Sequence, residues 1–154
     1  MRRTIKIYAD GACIGNPGPG GWAFVILIGT KRIEQFGNEE FTTNNRMELL
    51  AVLSALQRVK IQKLVGPVEV FTDSQYVRDG ITSWVKKWKR NGWRTANNKP
   101  VKNQDLWKQL DTAAHQLGAT FNWIPGHSGI PENERCDVLS NMAARREVSY
   151  KCGN

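Results

Sequence analysis

Thr4 to Ala9 (T-I-K-I-Y-A) alternates apolar and polar positions, the period of a half-buried strand. The run Gly15–Gly21 (G-N-P-G-P-G-G) predicts a turn, and the apolar run Trp22–Ile28 predicts a buried strand. Gly29-Thr30-Lys31 then predicts a tight turn into a third strand ending near Phe41. Two short connections in succession make these three strands an antiparallel meander. Thr42-Thr43-Asn44-Asn45 offers helix N-caps, and Met47 to Val59 is apolar on nearly every side, so this helix is expected to be deeply buried. Gly66-Pro67 stops the crossover before a fourth strand, Val68–Thr72. A helix beginning at Asp73-Ser74, another over Gln104–Leu117, a fifth strand over Thr120–Ile124 and a last helix with Pro131 in its first turn complete the pattern. The order describes one α/β domain over residues 1–154, a mixed sheet with helices packed on it, with a core of about 4–147 and a short C-terminal tail.

The composition fits such a domain: 154 residues, of which 40% are hydrophobic and 23% charged. The longest strictly apolar run, Trp22–Ile28, is far short of the roughly 18 residues that span a bilayer, so no membrane association is expected. The N-terminus MRRTIKIYADGAC has basic residues but no apolar stretch of a secretory signal. Cys13, Cys136 and Cys152 show no C-x-x-C spacing, which disfavours both a disulfide framework and a zinc site. A reducing, cytoplasmic location is the expectation.

Charge changes the picture. The chain carries +8 at pH 7 and its pI is near 9.7, and the excess is concentrated. From Arg78 to Lys108 there are nine Lys and Arg residues against Asp79 and Asp105, a local +7, together with Trp84, Trp88, Trp93 and Trp107. Such a segment is either a solvated charged face with tryptophans turned inward or a surface for a polyanion. Cations interleaved with flat rings favour nucleic acid.

Four acids stand at positions with chemical meaning. Asp10 is expected to end the first strand and Asp73 directly follows the fourth, and in open α/β sheets sites form at the carboxyl ends of strands. If those two strands are parallel neighbours, the carboxylates meet. Glu48 is the one acid among Met47, Leu49 and Leu50 of the buried helix, and Asp137 lies early in the last helix. Each has a plainer alternative: an Asp-Gly turn at Asp10, an N-cap at Asp73, exposed helix charges at Glu48 and Asp137. Two like charges about 4 Å apart repel by roughly 4 kcal/mol at an effective dielectric of 20, so a real cluster calls for a cation. Oxygen-only ligands favour Mg2+ or Mn2+ over zinc, and beside a basic aromatic surface they point to metal-assisted phosphodiester chemistry.

The strings Asp10–Gly21 (D-G-A-C-I-G-N-P-G-P-G-G), Thr43–Glu48 (T-N-N-R-M-E), Thr72–Val77 (T-D-S-Q-Y-V) and Gly126–Asp137 (G-H-S-G-I-P-E-N-E-R-C-D) closely resemble bacterial type 1 ribonuclease H, in the family's order, from about Ile5 to Ala144. Lys99–Trp107 (K-P-V-K-N-Q-D-L-W) extends the likeness. The resemblance implies a ribonuclease H-like fold: a five-stranded mixed sheet, three antiparallel strands followed by parallel ones, with helices on both faces. It implies a monomeric endonuclease that hydrolyses the RNA strand of RNA–DNA hybrids with two metal ions, Mg2+ or Mn2+ as a substitute, leaving 3′-hydroxyl and 5′-phosphate ends. Its metal ligands would be Asp10, Glu48, Asp73 and Asp137, with His127 assisting proton movement or product release. Cys13, Asn16, Asn44, Asn45 and Gln75 match residues that touch the hybrid's minor groove, where small polar groups sense 2′-hydroxyls. Cys13 has an equal alternative as a small space-filler. Trp84 and Trp88, with Lys86, Lys87 and Lys89, match a protruding basic element and DNA-strand channel, and Thr43 and Asn103 part of a pocket for a DNA phosphate. Phe41 stands where the family often has a basic residue. Two rival readings are a DNA strand-transfer or junction nuclease and a hybrid-binding module without catalysis.

Overall fold

The computed structural model describes residues 2–147. Five strands form one sheet in the order β3-β2-β1-β4-β5. β1 (Ile5–Cys13), β2 (Gly18–Ile28) and β3 (Lys31–Thr42) are the antiparallel meander that the pattern predicts, and β4 (Val68–Thr72) and β5 (Thr120–Trp123) join β1 in parallel. The crossover between β1/β3 and β4 is α1 (Asn44–Ile61), capped by Thr43, whose hydroxyl oxygen accepts the Arg46 N–H at 3.2 Å. The helix is longer at both ends than its apolar run, because a capped polar turn precedes Met47 and a basic last turn, Arg58 and Lys60, complements the dipole.

The two faces of the sheet are covered separately. On one face Ile5, Ile7, Ala9, Phe24 and Ile26 pack on α1, which in turn packs on α4 (Gln104–Leu117) with its fully buried Trp107. On the other face Ala23 and Val25 meet Cys136 and Leu139 of α5 (Pro131–Ala144), with Tyr8 and Phe36 beside them. α5 can lie this close because Gly21 has no side chain: a Cβ there would fall 2.2 Å from the Ser140 carbonyl oxygen.

Two strand ends differ from expectation. β1 does not stop at Asp10 but runs on to Cys13, and Asp10 pairs with Ala23 inside the ladder. The glycine–proline run is not one turn either. Only its first half reverses the chain, through a cis Asn16–Pro17 bond, whereas Gly18 to Gly21 are already strand residues of β2. Glycines at such positions serve close packing more than turning.

The basic segment is built in pieces. α2 (Gln75–Asp79) runs through a five-residue π-helical turn, Gly80–Trp84, into α3 (Val85–Asn91), which ends at the left-handed Gly92. Tyr76, Trp84, Trp88, Trp93 and Trp107 form a continuous aromatic cluster with centroid spacings of 5.2 to 5.9 Å. The tryptophans therefore do both things the pattern allowed. Trp107 is core, Trp88 and Trp93 are half-buried against it, and Trp84 is 38% exposed. Among the described residues, no helix is long and apolar enough to cross a membrane. Cys152 lies outside the described residues.

Candidate active site

Parallel pairing of β1 and β4 brings Asp10 and Asp73 to the same end of adjacent strands. Gly11 completes the arrangement from the other side. A Cβ on Gly11 would lie 2.5 Å from Glu48 N, so only glycine lets the first turn of α1 rest on β1 and Glu48 reach the strand. One carboxylate oxygen from each of Asp10, Glu48 and Asp73 lies within 4.8 Å of the other two. The plainer alternatives fail here: Asp10 is 5% and Glu48 6% exposed, and the N-cap of α2 is Ser74, whose hydroxyl oxygen accepts the Val77 N–H at 3.1 Å.

Asp137, on α5, is half-buried and stands outside that 4.8 Å group. Its carboxylate accepts the Asn141 amide at 3.2 Å, and its charge still acts on Asp10 and Asp73. Burial first, then Asp73, pushes the Asp10 carboxyl up to about 7, against the Gly11 N–H that donates to Asp10 Oδ1 at 2.9 Å. Burial and the adjacent Asp10 hold Glu48 well above the usual carboxylate range. Burial also raises Asp73; the Asn133 amide opposes this and Asp137 adds to it. Glu48 Oε2 is buried with no hydrogen-bond donor among the described residues. Crowded, partly protonated carboxylates with an orphaned oxygen fit a hard divalent cation, which would replace the missing donors and balance the charge.

His127 sits at φ 53° in an exposed loop beside the cluster, close enough for its ring to draw the Asp73 pKa down. The loop is braced at both ends: Ser128 Oγ donates to the Pro125 carbonyl at 2.7 Å, and Gly129 N–H donates to Glu134 Oε1 at 3.1 Å.

A second hollow opens near the start of α1, lined by Asn16, Thr43, Asn44, Asn45, Asn103 and Lys102, with Tyr76 at its wall. Asn16 Oδ1 accepts the Asn44 N–H at 2.9 Å, and the Asn103 amide donates to the Tyr76 hydroxyl oxygen at 3.2 Å. The same oxygen accepts the Trp107 indole N–H at 3.0 Å, so the hollow is fixed to the core. Cys13 is half-buried, its thiol directed at the Thr42 and Gly18 carbonyls, and Gln75 is exposed at the start of α2. On α3, Lys86 and Lys87 are exposed, while Lys89 makes a 2.9 Å ion pair with Asp111 of α4. Phe41 is 77% exposed.

The residue that sequence reasoning passed over is Asn133, 2% exposed, with its amide 3.5 Å from Asp73 Oδ2. The signal was its spacing, four residues before Asp137 and so on the same helix face.

This sheet order, with buried acids where its parallel strands meet, defines the ribonuclease H-like class. The RNase H family model matches residues 2–145. The ribonuclease H of Nitrobacter hamburgensis is 56% identical over 136 residues, 88% of each chain. Among solved structures, LC9-RNase H1, a type 1 RNase H with the type 2 active-site motif, superimposes with a TM-score of 0.85 at 30% identity, covering 96% of this chain and 75% of that one. LC11-RNase H1, solved in complex with an RNA/DNA hybrid, gives a TM-score of 0.67 at 26% identity over 94% and 99% of the two chains. The chain belongs to the ribonuclease H family.

Proposed function

We propose that this chain is a metal-dependent endonuclease that hydrolyses the RNA strand of RNA–DNA hybrids, leaving 3′-hydroxyl and 5′-phosphate ends. The observation that carries the reading is the buried trio Asp10, Glu48 and Asp73, with carboxylate oxygens within 4.8 Å of one another at the switch from antiparallel to parallel strands. Asp10, Glu48, Asp73 and Asp137 would hold two Mg2+ ions, or Mn2+ in their place. Bound there, the ions supply Lewis acidity for a water nucleophile and for the leaving oxygen.

The chain's own groups do the rest. Asp10 from β1, Glu48 from α1 and Asp73 after β4 would hold an ion between them. His127, carried on its braced loop beside Asp73, moves a proton at the leaving side. Asn16, Asn44, Asn45, Gln75 and Cys13 face the minor groove, where a 2′-hydroxyl separates RNA from DNA. Thr43 and Asn103 grip a DNA phosphate in the Lys102 hollow, and Trp84, Trp88, Lys86 and Lys87 carry the DNA strand while Lys89 stays paired with Asp111. The relative solved with an RNA/DNA hybrid supports this partner. A single unit acting as a monomer in the cytoplasm fits these roles.

Digestion of an end-labelled hybrid, beside an all-DNA duplex, with Mg2+, Mn2+ or EDTA tests the reading. Cleavage of the hybrid's RNA strand that EDTA abolishes is expected. Equal cleavage of the DNA duplex, or binding without cleavage, would replace it by one of the two rivals.

A further inference from the structure

Glu48 Oε2 and Asn133 Oδ1 are buried side-chain oxygens with no hydrogen-bond donor among the described residues. A cation bound to Glu48 accounts for the first. The second belongs to a side chain with no part in the ligand set. Asn133 lies in the first turn of α5 and is 2% exposed. Its orientation is dictated by charge: an ionised carboxylate only accepts, so Nδ2 must face Asp73 Oδ2, 3.5 Å away, and Oδ1 must turn from it. An unmet buried acceptor is costly, and few native groups go without a partner. The neighbouring loop offers none, since the Ser128 hydroxyl and the Gly129 N–H are spent on Pro125 and Glu134.

We infer that Asn133 is a positioning residue of the cation site, its amide N–H holding the Asp73 carboxylate in place for the ion. The inference rests on the metal-dependent reading above. A neutral amide can donate to a carboxylate without adding a charge that competes for the ion. An aspartate in its place would add another negative charge and lose the donor. Placement on α5 has a further effect: the same first turn carries Glu134, which braces the His127 loop, so one helix end fixes both Asp73 and the loop.

Mn2+ titrations of the full chain without nucleic acid, read by the loss of the free-ion paramagnetic resonance signal, test this. The proteins compared are the unaltered chain, Asn133→Ala, the volume-conserving Asn133→Leu and Asp10→Asn. Outer-shell partners of a metal site typically contribute 10–100-fold in affinity, and both Asn133 variants are expected to lose about that much. Their melting temperatures in EDTA should hold or rise, because the orphaned acceptor is gone. With excess metal, KM for a hybrid should stay near that of the unaltered chain. Unchanged Mn2+ affinity in either folded variant overturns the inference, as does a lower melting temperature in EDTA with Mn2+ affinity intact. Should Asn133→Ala not fold, Asn133→Leu decides alone. If the unaltered chain takes up no Mn2+, the metal-dependent reading itself falls and this inference with it. Failure confined to the Asn133 variants leaves that reading standing.

Discussion

Asp10 and Glu48 are like charges pressed together in the core, whereas Lys86, Lys87 and Arg90 are like charges side by side in water on α3. At 4 Å, a pair of unit charges repels by about 1 kcal/mol in water and about 4 kcal/mol at an effective dielectric of 20. The crevice therefore exists only because a rigid ladder, the Gly11 contact and a packed helix leave the carboxylates nowhere to go, and it shows the strain as raised pKa values and orphaned oxygens. The basic arm needs no such enforcement. Its cations are screened within about 8 Å at physiological salt, and among the described residues Lys89 is the cation of α3 that is tied down, to Asp111. One region is organised for chemistry at a point; the other supplies a field and a surface.

The sharpest way to break this contrast is Asp10→Asn. Cleavage should disappear, while metal-free stability holds or improves. A loss of more than about 2 kcal/mol in EDTA would make Asp10 a structural residue. The pH dependence gives the same test a sign. With its pKa raised to about 7, Asp10 keeps its proton in the folded state over a range where the unfolded chain has lost it. Stability without metal should therefore be full below about pH 4 and decline as pH rises towards 7, by at most about 1.4 kcal/mol per unit for one proton. Saturating Mg2+ should flatten that decline, and Asp10→Asn should show a smaller one, the part left by buried Glu48 and Asp73. Melting curves in EDTA from pH 4 to 8 would show either result.

A smaller effect, still large, belongs to His127. His127→Ala should lower kcat by about 10²–10⁴-fold, the usual range for a proton-transfer group, with Mn2+ affinity and KM nearly unchanged. His115, exposed on α4 and paired only with its own helix neighbour Asp111, is the control, and its replacement should do little. Two histidine variants with equal defects would undo the assignment.

On the basic arm, replacing Lys86, Lys87 and Arg90 by Ala together should raise KM and spare kcat. The log–log salt slope of binding should fall by somewhat less than one unit for each phosphate contact removed. An unchanged slope with reduced kcat would erase the distinction between the two regions. Smallest of all, Lys89→Ala should show its effect in thermal stability, by about 1 kcal/mol or less, because its charge is already engaged by Asp111. A salt-slope change as large as that of Lys86→Ala would mean that the hybrid takes Lys89 from Asp111.

Much of this was legible in the chain. The alternation in β1, the apolar run of β2 and the all-round apolar helix from Met47 report burial directly, so the meander and the crossover follow from pattern, while the meeting of Asp10 with Asp73 hung on the parallel pairing of β1 and β4 that the structure has. What pattern could not reach was set by backbone approach. Gly18 to Gly21 look like turn residues but are strand residues selected for close contacts, as the Gly21–Ser140 approach shows. Asp137, equal to the other acids in the motif, stands apart from the trio because α5 packs on the opposite face of the sheet from α1. Asn133 was invisible because an amide between two charged residues on a helix reads as surface until the helix is docked.

The π-helical turn at Gly80–Trp84 has a consequence for how such a chain can vary. An α-helix advances about 100° per residue, so the additional residue accommodated in this wide turn sets the rotational phase of α3 relative to α2. Removing one residue from the turn would swing Lys86, Lys87 and Arg90 by roughly a quarter of a circle about the helix axis, and would unseat Trp84 and Trp88 from the aromatic stack. β1, β4 and the acids they carry would feel none of it. A length change of a single residue here thus acts as a dial on which direction the cations face, and gives descendants of this sequence a route to a new grip that leaves the cutting centre as it is.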